Sequence, residues 1–138
     1  MRLLRPGARL PRRATELASG FDLHACLEGG TIEVTQHPVM VPTGVAIEVP
    51  PGLDAQFRPR SGLARQGVLS TFGTLDADYR GECQVTMYTV APDIRYVIRD
   101  GDRISQLVIT RLADVTVEVA DELSDSARGA AGHGSTGR

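Results

Sequence analysis

A run of nine residues bounded by glycines, 73–81, carries the residue types in this chain that are best suited to chemistry. Its end glycines allow the backbone to turn tightly and to approach a ligand closely. Between them stand two carboxylates, Asp76 and Asp78, and the ring of Tyr79. A carboxylate at the mouth of a turn can activate a water molecule, and a tyrosine ring can lie flat against a sugar. The run also fits an acidic β-hairpin loop with one partly buried aromatic, so both interpretations stay open.

Three further polar segments accompany this run. Arg60, Ser61 and Gly62 precede a predicted helical turn, where backbone N–H groups, a hydroxyl and an arginine fork together form an anion site. Ser61 also fits a plain helix N-cap, and the two roles are compatible. Residues 101–106 follow downstream, and residues 128–137 are an arginine followed by a glycine-rich tail. The first of these segments therefore predicts anion binding.

The composition is that of an ordinary globular domain. At 138 residues and 41% hydrophobic content, the chain is long enough for one core. The net charge of -2 and the lack of a basic run argue against nucleic-acid binding, although all 15 basic residues are arginine. No apolar stretch approaches a membrane span and the N-terminus lacks a secretory signal, so we expect a cytoplasmic protein with no membrane partner. Cys26 and Cys83 are far apart in the sequence, which predicts reduced, buried thiols and no zinc site.

Short apolar runs between closely spaced prolines and glycines predict an all-β barrel or sandwich. Only residues 61–66 predict a helix, of one or two turns. From Ser124 onwards little can be buried, which predicts a mobile tail. Seven segments alternate or cluster β-branched residues over strand-like lengths, namely 31–35, 45–49, 56–58, 83–90, 95–98, 104–110 and 115–119.

Five segments resemble, in order, the motifs of the trimeric dUTP diphosphatase (dUTPase) family, and the resemblance spans nearly the whole chain. They are residues 18–23, 59–64, 73–81, 101–106 and 128–137. The resemblance implies a distorted jelly-roll fold with shared active sites in a homotrimer. It also implies hydrolysis of dUTP to dUMP and pyrophosphate, which limits uracil incorporation into DNA and supplies dUMP for dTMP synthesis. Residues 1–124 would be the β domain and residues 125–138 a flexible flap.

By this resemblance, Asp76 is the general base that orients a water molecule for in-line attack on the α-phosphorus. Asp78 lies two residues on, faces the opposite side of an extended segment, and is expected to be structural. Tyr79 packs its ring against deoxyribose and leaves no room for a 2′-hydroxyl. A tyrosine that only supports the hairpin is the alternative, and one ring can do both.

Residues from several segments are expected to line the base pocket, and this sequence departs from the family pattern in two places there. In the family, backbone groups of the hairpin and its return strand largely recognise uracil, and the resemblance therefore implies that Thr74, Leu75 and Gln84 lie along the pocket. The loop 65–72 is shorter than usual and a pocket asparagine common in the family is absent. Ser70, at a similar distance from Asp76, is the candidate replacement. These departures concern uracil selectivity and leave the reaction unaffected.

The phosphate contacts are implied by the second and fourth motifs. Arg60, Ser61 and Gly62 resemble the residues that hold the triphosphate, and Gln106 resembles the glutamine that contacts the α-phosphate. No carboxylate cluster in the sequence cages a metal. We therefore expect Mg²⁺ to arrive on the triphosphate, with Asp22 contacting it through water.

The fifth motif is expected to close over the substrate. Arg128 resembles the flap arginine that acts on the γ-phosphate somewhat as an arginine finger does. His133 stands where the family most often has phenylalanine over the uracil, and an imidazole stacks more weakly. Ala131 replaces a tail glycine. The remaining substrate contacts expected from the tail are Gly134, Ser135 and Thr136.

Two other functions remain open. dCTP deaminase shares the fold and the Arg-Ser motif, but that family places a catalytic glutamate on the strand after the hairpin. Residues 84–88 contain no acid, and the deaminase family lacks the Gly-Ser-Thr-Gly tail. A non-catalytic nucleotide-binding module on the same scaffold is the second alternative, although such a module has no need to retain Asp76. Product analysis separates the three: dUMP and pyrophosphate, dUTP and ammonia, or no product.

Overall fold

Short antiparallel β-strands make up most of the regular secondary structure. The structure is a computed structural model and describes residues 1–131. Its elements are β1 (Arg2–Leu3), β2 (Phe21–His24), β3 (Thr31–Val34), β4 (Val39–Ala46), β5 (Leu53–Arg58), α1 (Ser61–Ala64), β6 (Val68–Ser70), β7 (Gly73–Leu75), β8 (Glu82–Thr89), β9 (Tyr96–Arg99) and β10 (Arg103–Arg111).

The strands assemble into three sheets. One four-stranded sheet has the order β1-β4-β8-β6, a second has the order β2-β10-β5-β7, and β3 pairs with β9 in a two-stranded ribbon. Each of these strand pairs is antiparallel. The all-β prediction is therefore confirmed.

A single core lies between the two larger sheets, because alternating residues of each strand face inwards. In β8, Cys83, Val85 and Met87 are fully buried, whereas the residues between them reach the surface to varying degrees. Inward side chains of the second sheet, including Leu23 and Leu107, belong to the same buried cluster. Each such aliphatic side chain contributes about 1.5–3 kcal/mol when removed from water, so this core holds the sheets that carry the site.

Only the first two residues of the strand predicted over 45–49 lie in a strand, which begins earlier and ends at Ala46. β4 covers Val39–Ala46 and includes Pro42, which has no backbone N–H to donate. Its pairing with β8 shifts register between Pro42 and Ala46, and Gly44 within that shift has a φ of 69°. A glycine accommodates this left-handed backbone without steric cost.

The prediction of a strand over residues 115–119 is wrong. Among the described residues regular structure ends with β10, and Val115, Val117 and Val119 are 75%, 93% and 102% exposed. Alternation marks a face that can be buried, but a strand also needs a neighbouring strand for its backbone hydrogen bonds. Residues 1–131 supply no such neighbour for this segment.

The helical turn predicted over 61–66 is confirmed. α1 covers Ser61–Ala64, and its last turn continues through the bond from Gln66 N to Leu63 O, 2.9 Å. No helix within the described residues has the length and apolarity that crossing a membrane requires.

Candidate active site

A cavity of about 280 Å³ opens beside the 73–81 run, and we call it the hairpin pocket. Strands from both large sheets contribute to its wall, because β7 pairs with β5 whereas β8 pairs with β4. The lining residues are Met40, Phe57, Thr71, Gly73, Thr74, Leu75, Asp76, Tyr79, Glu82, Cys83, Gln84, Val85 and Thr86. The five residues that the sequence assigned to base, sugar and water activation, Thr74, Leu75, Asp76, Tyr79 and Gln84, are thus brought together.

The turn between β7 and β8 presents Asp76 to this pocket. Leu75 is buried and anchors the end of β7, and Tyr79 N donates to Asp76 O at 3.0 Å, which closes the turn. The Asp76 side chain is exposed, and no group within residues 1–131 hydrogen-bonds to its carboxylate. Asp78 is also exposed but does not line the pocket. The separation of the two acids that the sequence predicted is therefore present.

Tyr79 is held at the pocket wall by its hydroxyl. The hydroxyl donates to Glu82 O at 3.1 Å, and the side chain stays 45% exposed. The ring lies directly against Gly81, where a Cβ would be 2.3 Å from the tyrosine oxygen. Glycine at position 81 is therefore required for this placement. The ring both supports the turn and remains accessible from the pocket.

Cys83 is also among the lining residues, but its thiol is not a nucleophile. Burial, followed by the neighbouring Glu82 carboxylate, raises its pKa to about 11. The thiol is therefore protonated at neutral pH, and the thiolate is the reactive form. Cys26 and Cys83 are both free and buried, as the sequence predicted.

A second cavity, of about 170 Å³, collects the residues predicted to bind phosphate, and we call it the arginine pocket. It is lined by Ala14, Asp22, Arg60, Ser61, Gly62, Arg103 and Gln106. The pocket forms where β2 and β10 lie side by side, with Asp22 opposite Gln106 in the register. Gly20 leaves room for the glutamine, since a Cβ there would be 2.9 Å from Gln106 Cβ.

Asp22 organises the charges of the arginine pocket. Its carboxylate is buried, with Oδ2 3.1 Å from Arg103 Nη1 and Oδ1 3.6 Å from Arg60 Nε. Arg60 Nη1 also donates to the Arg103 carbonyl oxygen at 2.7 Å. One carboxylate between two guanidinium groups leaves the pocket with a net positive charge. Such a pocket favours an anion with several oxygens.

The alternative role of Ser61 as the helix N-cap is wrong. Arg60 occupies the N-cap position of α1, without a side-chain capping bond, and Ser61 is the first helical residue. Its side chain is exposed at the arginine pocket. The hydroxyl is therefore available to a ligand.

The two charged residues of the segment 101–106, Asp102 and Arg103, make separate contacts. Asp102 Oδ2 accepts a bond from Arg99 N at 2.8 Å, and Asp102 N donates to Arg99 O at 3.0 Å. Arg103 instead forms its ion pair with Asp22. The arginine is thus a pocket residue that the motif alone did not single out.

Several predicted residues lie outside both pockets. Ser70 is buried in β6, with its hydroxyl 3.4 Å from that of Ser105, and does not line the hairpin pocket. Thr71 and Thr86 occupy the wall instead. Arg128 is exposed and donates from Nε to Ala131 O at 2.8 Å. The predicted contacts His133, Gly134, Ser135 and Thr136 lie beyond the residues that the structure describes.

The residues present offer a metal ion only indirect contact. Within residues 1–131 no group of three or more histidine, cysteine, aspartate or glutamate side chains could hold a metal. Both oxygens of Asp22 face arginine nitrogens. The donor set therefore fits a contact through water and does not fit direct coordination, and the role of Asp22 towards Mg²⁺ stays a prediction.

The two pockets share no lining residue. Within residues 1–131, one chain therefore does not combine Asp76 and Tyr79 with Arg60, Ser61 and Gln106 in a single cavity. Residues that the sequence did not assign also line them, notably Met40, which reaches the hairpin pocket because β4 pairs it with Thr86. The alternation of β8 around Gln84 could have identified Glu82 and Thr86, since residues two apart share a face.

Comparison with known proteins gives a consistent result. The dUTPase family model matches residues 7–137. The deoxyuridine 5'-triphosphate nucleotidohydrolase of Treponema pallidum is 46% identical over 138 residues, which cover 96% of this chain and 92% of the relative. The protein of the same name from Corynebacterium efficiens is 45% identical over 143 residues, which cover all of this chain and 78% of the relative.

Solved structures support the fold. The dUTPase of Staphylococcus bacteriophage 80alpha, solved with dUPNHPP, aligns with a TM-score of 0.83 at 24% identity, covering 99% of this chain and 96% of the other. A variant dUTPase from phage phi11 of S. aureus, described with a structural Mg(II) ion, aligns with a TM-score of 0.77 at 24% identity, covering 88% and 95%. The dUTPase-like β-fold is thus confirmed, and the match of the family model and of the relatives along almost the whole sequence shows that this chain belongs to the dUTPase family.

Proposed function

We propose that the protein hydrolyses dUTP to dUMP and pyrophosphate. The observation that carries the proposal is the hairpin pocket, in which an exposed carboxylate and an exposed tyrosine ring line one cavity. The nucleotidohydrolase name of relatives more than 40% identical agrees with this chemistry. Asp76 supplies the base, and Tyr79 the wall for the sugar.

The reaction is a displacement at the α-phosphorus. Asp76 accepts a proton from a water molecule while the water oxygen forms a bond to phosphorus. The bond from phosphorus to the bridging oxygen breaks, and its electron pair leaves with pyrophosphate. The freedom of the Asp76 carboxylate from bonds within residues 1–131 supports this role, because a carboxylate already held by donors is a weaker base.

Backbone groups of β7 and β8 read the uracil. β7 is an edge strand that pairs only with β5 among the described residues, so part of its N–H and C=O groups are not used in the sheet. Thr74 and Leu75 on β7 and Gln84 on β8 line the pocket. A site built from fixed backbone donors and acceptors distinguishes bases by shape and hydrogen-bond pattern.

The triphosphate binds in the arginine pocket. Arg60, Ser61 and Gly62 contact its oxygens, and Gln106 contacts the α-phosphate. Asp22 positions Arg60, and its burial between two arginines supports this arrangement. Bound Mg²⁺, arriving on the triphosphate and touched by Asp22 through water, would neutralise phosphate charge.

The complete site belongs to a homotrimer. One subunit contributes Arg60, Ser61 and Gln106, a second contributes Asp76 and Tyr79, and the tail of a third closes over them. The division of these residues between two separate cavities of one chain supports the sharing. Arg128 takes part in catalysis at the γ-phosphate. His133, Gly134, Ser135 and Thr136 complete the substrate contacts of the tail.

In the cell, the activity would limit uracil incorporation into DNA and supply dUMP for dTMP synthesis. We place the protein in the cytoplasm, where nucleotide pools are found. Residues 1–124 form the β domain and residues 125–138 the flap in this proposal.

Deamination of dCTP is disfavoured by the bonding of the one acid on β8. Glu82, the first residue of β8, lines the hairpin pocket. Its carboxylate accepts bonds from the guanidinium group of Arg5 and from Gly44 N. Because both of its oxygens are already engaged, this carboxylate is not free to contact the substrate of a deaminase.

Product analysis tests the proposal. The protein is incubated separately with dUTP, dCTP and UTP in the presence of Mg²⁺, and nucleotides, pyrophosphate and ammonia are quantified. We expect dUMP and pyrophosphate in equal amounts from dUTP, with little turnover of the other two. Release of ammonia from dCTP, or no product from any nucleotide, would refute the proposed function.

A further inference from the structure

Glu82 occupies the junction between the catalytic turn and the sheet. It directly follows the 73–81 run and begins β8. Its backbone oxygen accepts the hydroxyl of Tyr79 at 3.1 Å. The position of the tyrosine ring therefore depends on where the backbone of residue 82 is held.

Both oxygens of the Glu82 carboxylate accept hydrogen bonds. Oε1 accepts from Arg5 Nη1 at 2.8 Å and from Gly44 N at 2.7 Å, and Oε2 accepts from Arg5 Nη2. The side chains of Arg5 and Glu82 are only 27% and 16% exposed. Two parallel bonds from one guanidinium group fix orientation as well as distance. This pair is thus better defined than an ordinary surface ion pair.

The donors reach Glu82 from two other parts of the chain. Arg5 follows β1, which pairs with β4. Leu4 N donates to Gly44 O at 2.8 Å, which ties the N-terminal segment to the same point of β4. β4 shifts register around Gly44, which has a positive φ. This backbone conformation directs the N–H of Gly44 towards the Glu82 carboxylate. Three segments therefore meet at one carboxylate.

We propose that Arg5 is a positioning residue for sugar selection, acting on Tyr79 through Glu82. The inference rests on the proposed function, in which Tyr79 excludes a 2′-hydroxyl. Without the guanidinium group, a partly buried carboxylate keeps a single N–H donor and turns towards water. The start of β8 then relaxes, the Tyr79 ring loses its fixed place, and a ribonucleotide is excluded less strictly.

The test compares Arg5→Met with Arg5→Lys and with a matched control, Arg95→Met. Arg95 also pairs with a glutamate, Glu33, at 3.2 Å, but both side chains are more than half exposed, and neither lines the hairpin or the arginine pocket. The readouts are the ratio of kcat/KM for dUTP over UTP and amide hydrogen exchange of residues 76–82 in the full-length protein.

We expect Arg5→Met to lower the dUTP/UTP ratio about fivefold or more, as befits the loss of a coupled contact, and to speed exchange in residues 76–82. Arg5→Lys keeps the charge but not the two parallel bonds, so it should fall between Arg5→Met and the wild type. Arg95→Met should match the wild type in both readouts. A merely structural role of Arg5 predicts a lower melting temperature with an unchanged ratio and unchanged exchange, and that result would overturn the inference.

A second variant covers the case in which Arg5→Met does not fold. Glu82→Gln keeps the shape of the side chain but replaces one acceptor oxygen by a donor, so the bidentate contact with Arg5 is lost. It should lower the ratio in the same direction, and an unchanged ratio and exchange in Glu82→Gln would contradict the inference. The exchange measurement needs no turnover. A wild type that fails to hydrolyse dUTP would therefore sink the proposed function while the link from Arg5 to the turn is still judged on exchange.

Discussion

Single residues of the hairpin pocket differ in role according to the bonds that they already make. Asp76 is exposed and free of partners within residues 1–131, whereas the Glu82 carboxylate, on the same wall, is held by three donor bonds. Only the former has both carboxylate oxygens available to a water molecule. Asp78, two residues from Asp76, is exposed outside the pocket. The three acids within seven residues therefore have distinct expected functions.

The first prediction separates Asp76 from its neighbour. Asp76→Asn keeps the shape but removes proton acceptance, so kcat should fall by roughly 10² or more while dUTP binding persists. Asp78→Asn makes the same chemical change outside the pocket and should leave kcat near the wild-type value. Steady-state kinetics and binding of a non-hydrolysable dUTP analogue measure both. Equal losses in the two variants would contradict the assignment of the base.

The second prediction concerns Tyr79. Tyr79→Ala removes the ring from the pocket wall and should narrow the preference for dUTP over UTP, as well as weakening binding. Tyr79→Phe keeps the ring but loses the bond to Glu82 O that fixes its place, so its ratio should fall between that of Tyr79→Ala and that of the wild type. An unchanged ratio of kcat/KM in Tyr79→Ala would mean that the ring is only structural.

At the scale of the strands, buried and surface-accessible side chains alternate along β8. Cys83 faces the core while Glu82 and Gln84 reach the surface. The chain contains no lysine, so no lysine ammonium group titrates in the alkaline range in which a thiol ionises. The ionisation of the buried Cys83 thiol can therefore be followed through the pH dependence of stability.

The third prediction follows from the raised pKa of Cys83, about 11 against an ordinary value of 9.0. Below pH 9 the thiol is protonated in both states, so its contribution to stability is complete. As the pH rises through 9, the unfolded chain loses the proton while the folded chain keeps it, and stability is lost progressively towards pH 11, by about 2–3 kcal/mol. Urea unfolding between pH 8 and 10.5 should show a smaller pH slope for Cys83→Ala than for the wild type. Identical slopes would show that Cys83 ionises as freely in the folded protein as in the unfolded chain.

How much could be predicted from the sequence varies from strand to strand for physical reasons. β8 and β10 are long enough for alternation to identify them, whereas β1, β6 and β7 have only two or three residues and no measurable period. The segment 115–119 alternates well but has no strand beside it within the described chain. Periodicity indicates which side chains can face a core. It carries no information on the neighbouring strand or sheet that would cover them.

The site was predictable to the extent that it lies within contiguous motifs. Asp22, Arg60 and Gln106 share one pocket as expected. Met40, by contrast, enters the hairpin pocket through the pairing of β4 with β8, and Arg5 reaches Glu82 across 77 positions of sequence. Contacts of this kind are set by sheet register, which single-sequence patterns do not specify.

At the scale of the whole molecule, the exposed apolar residues that follow β10 have no explanation within a single chain. Leu112 and Leu123 are exposed along with the three valines at 115, 117 and 119. Exposed apolar residues in such a density are typical of a surface that another chain covers. In the proposed homotrimer, residues 112–123 would serve assembly, whereas the tail from residue 125 would serve closure of the active site.

The fourth prediction tests this division with two truncations. A chain ending at Ser124 keeps the apolar segment and loses Arg128 and the glycine-rich tail, so it should remain a trimer with severely reduced dUTP turnover, because closure excludes water and completes the phosphate contacts. A chain ending at Arg111 also loses the apolar segment 112–123 and should assemble poorly. Light scattering gives the mass of each, and dUTP hydrolysis gives the rate. Full-length turnover by the trimer ending at Ser124 would refute a catalytic role for the tail, and a monomer at that length would place the assembly contacts in the tail itself.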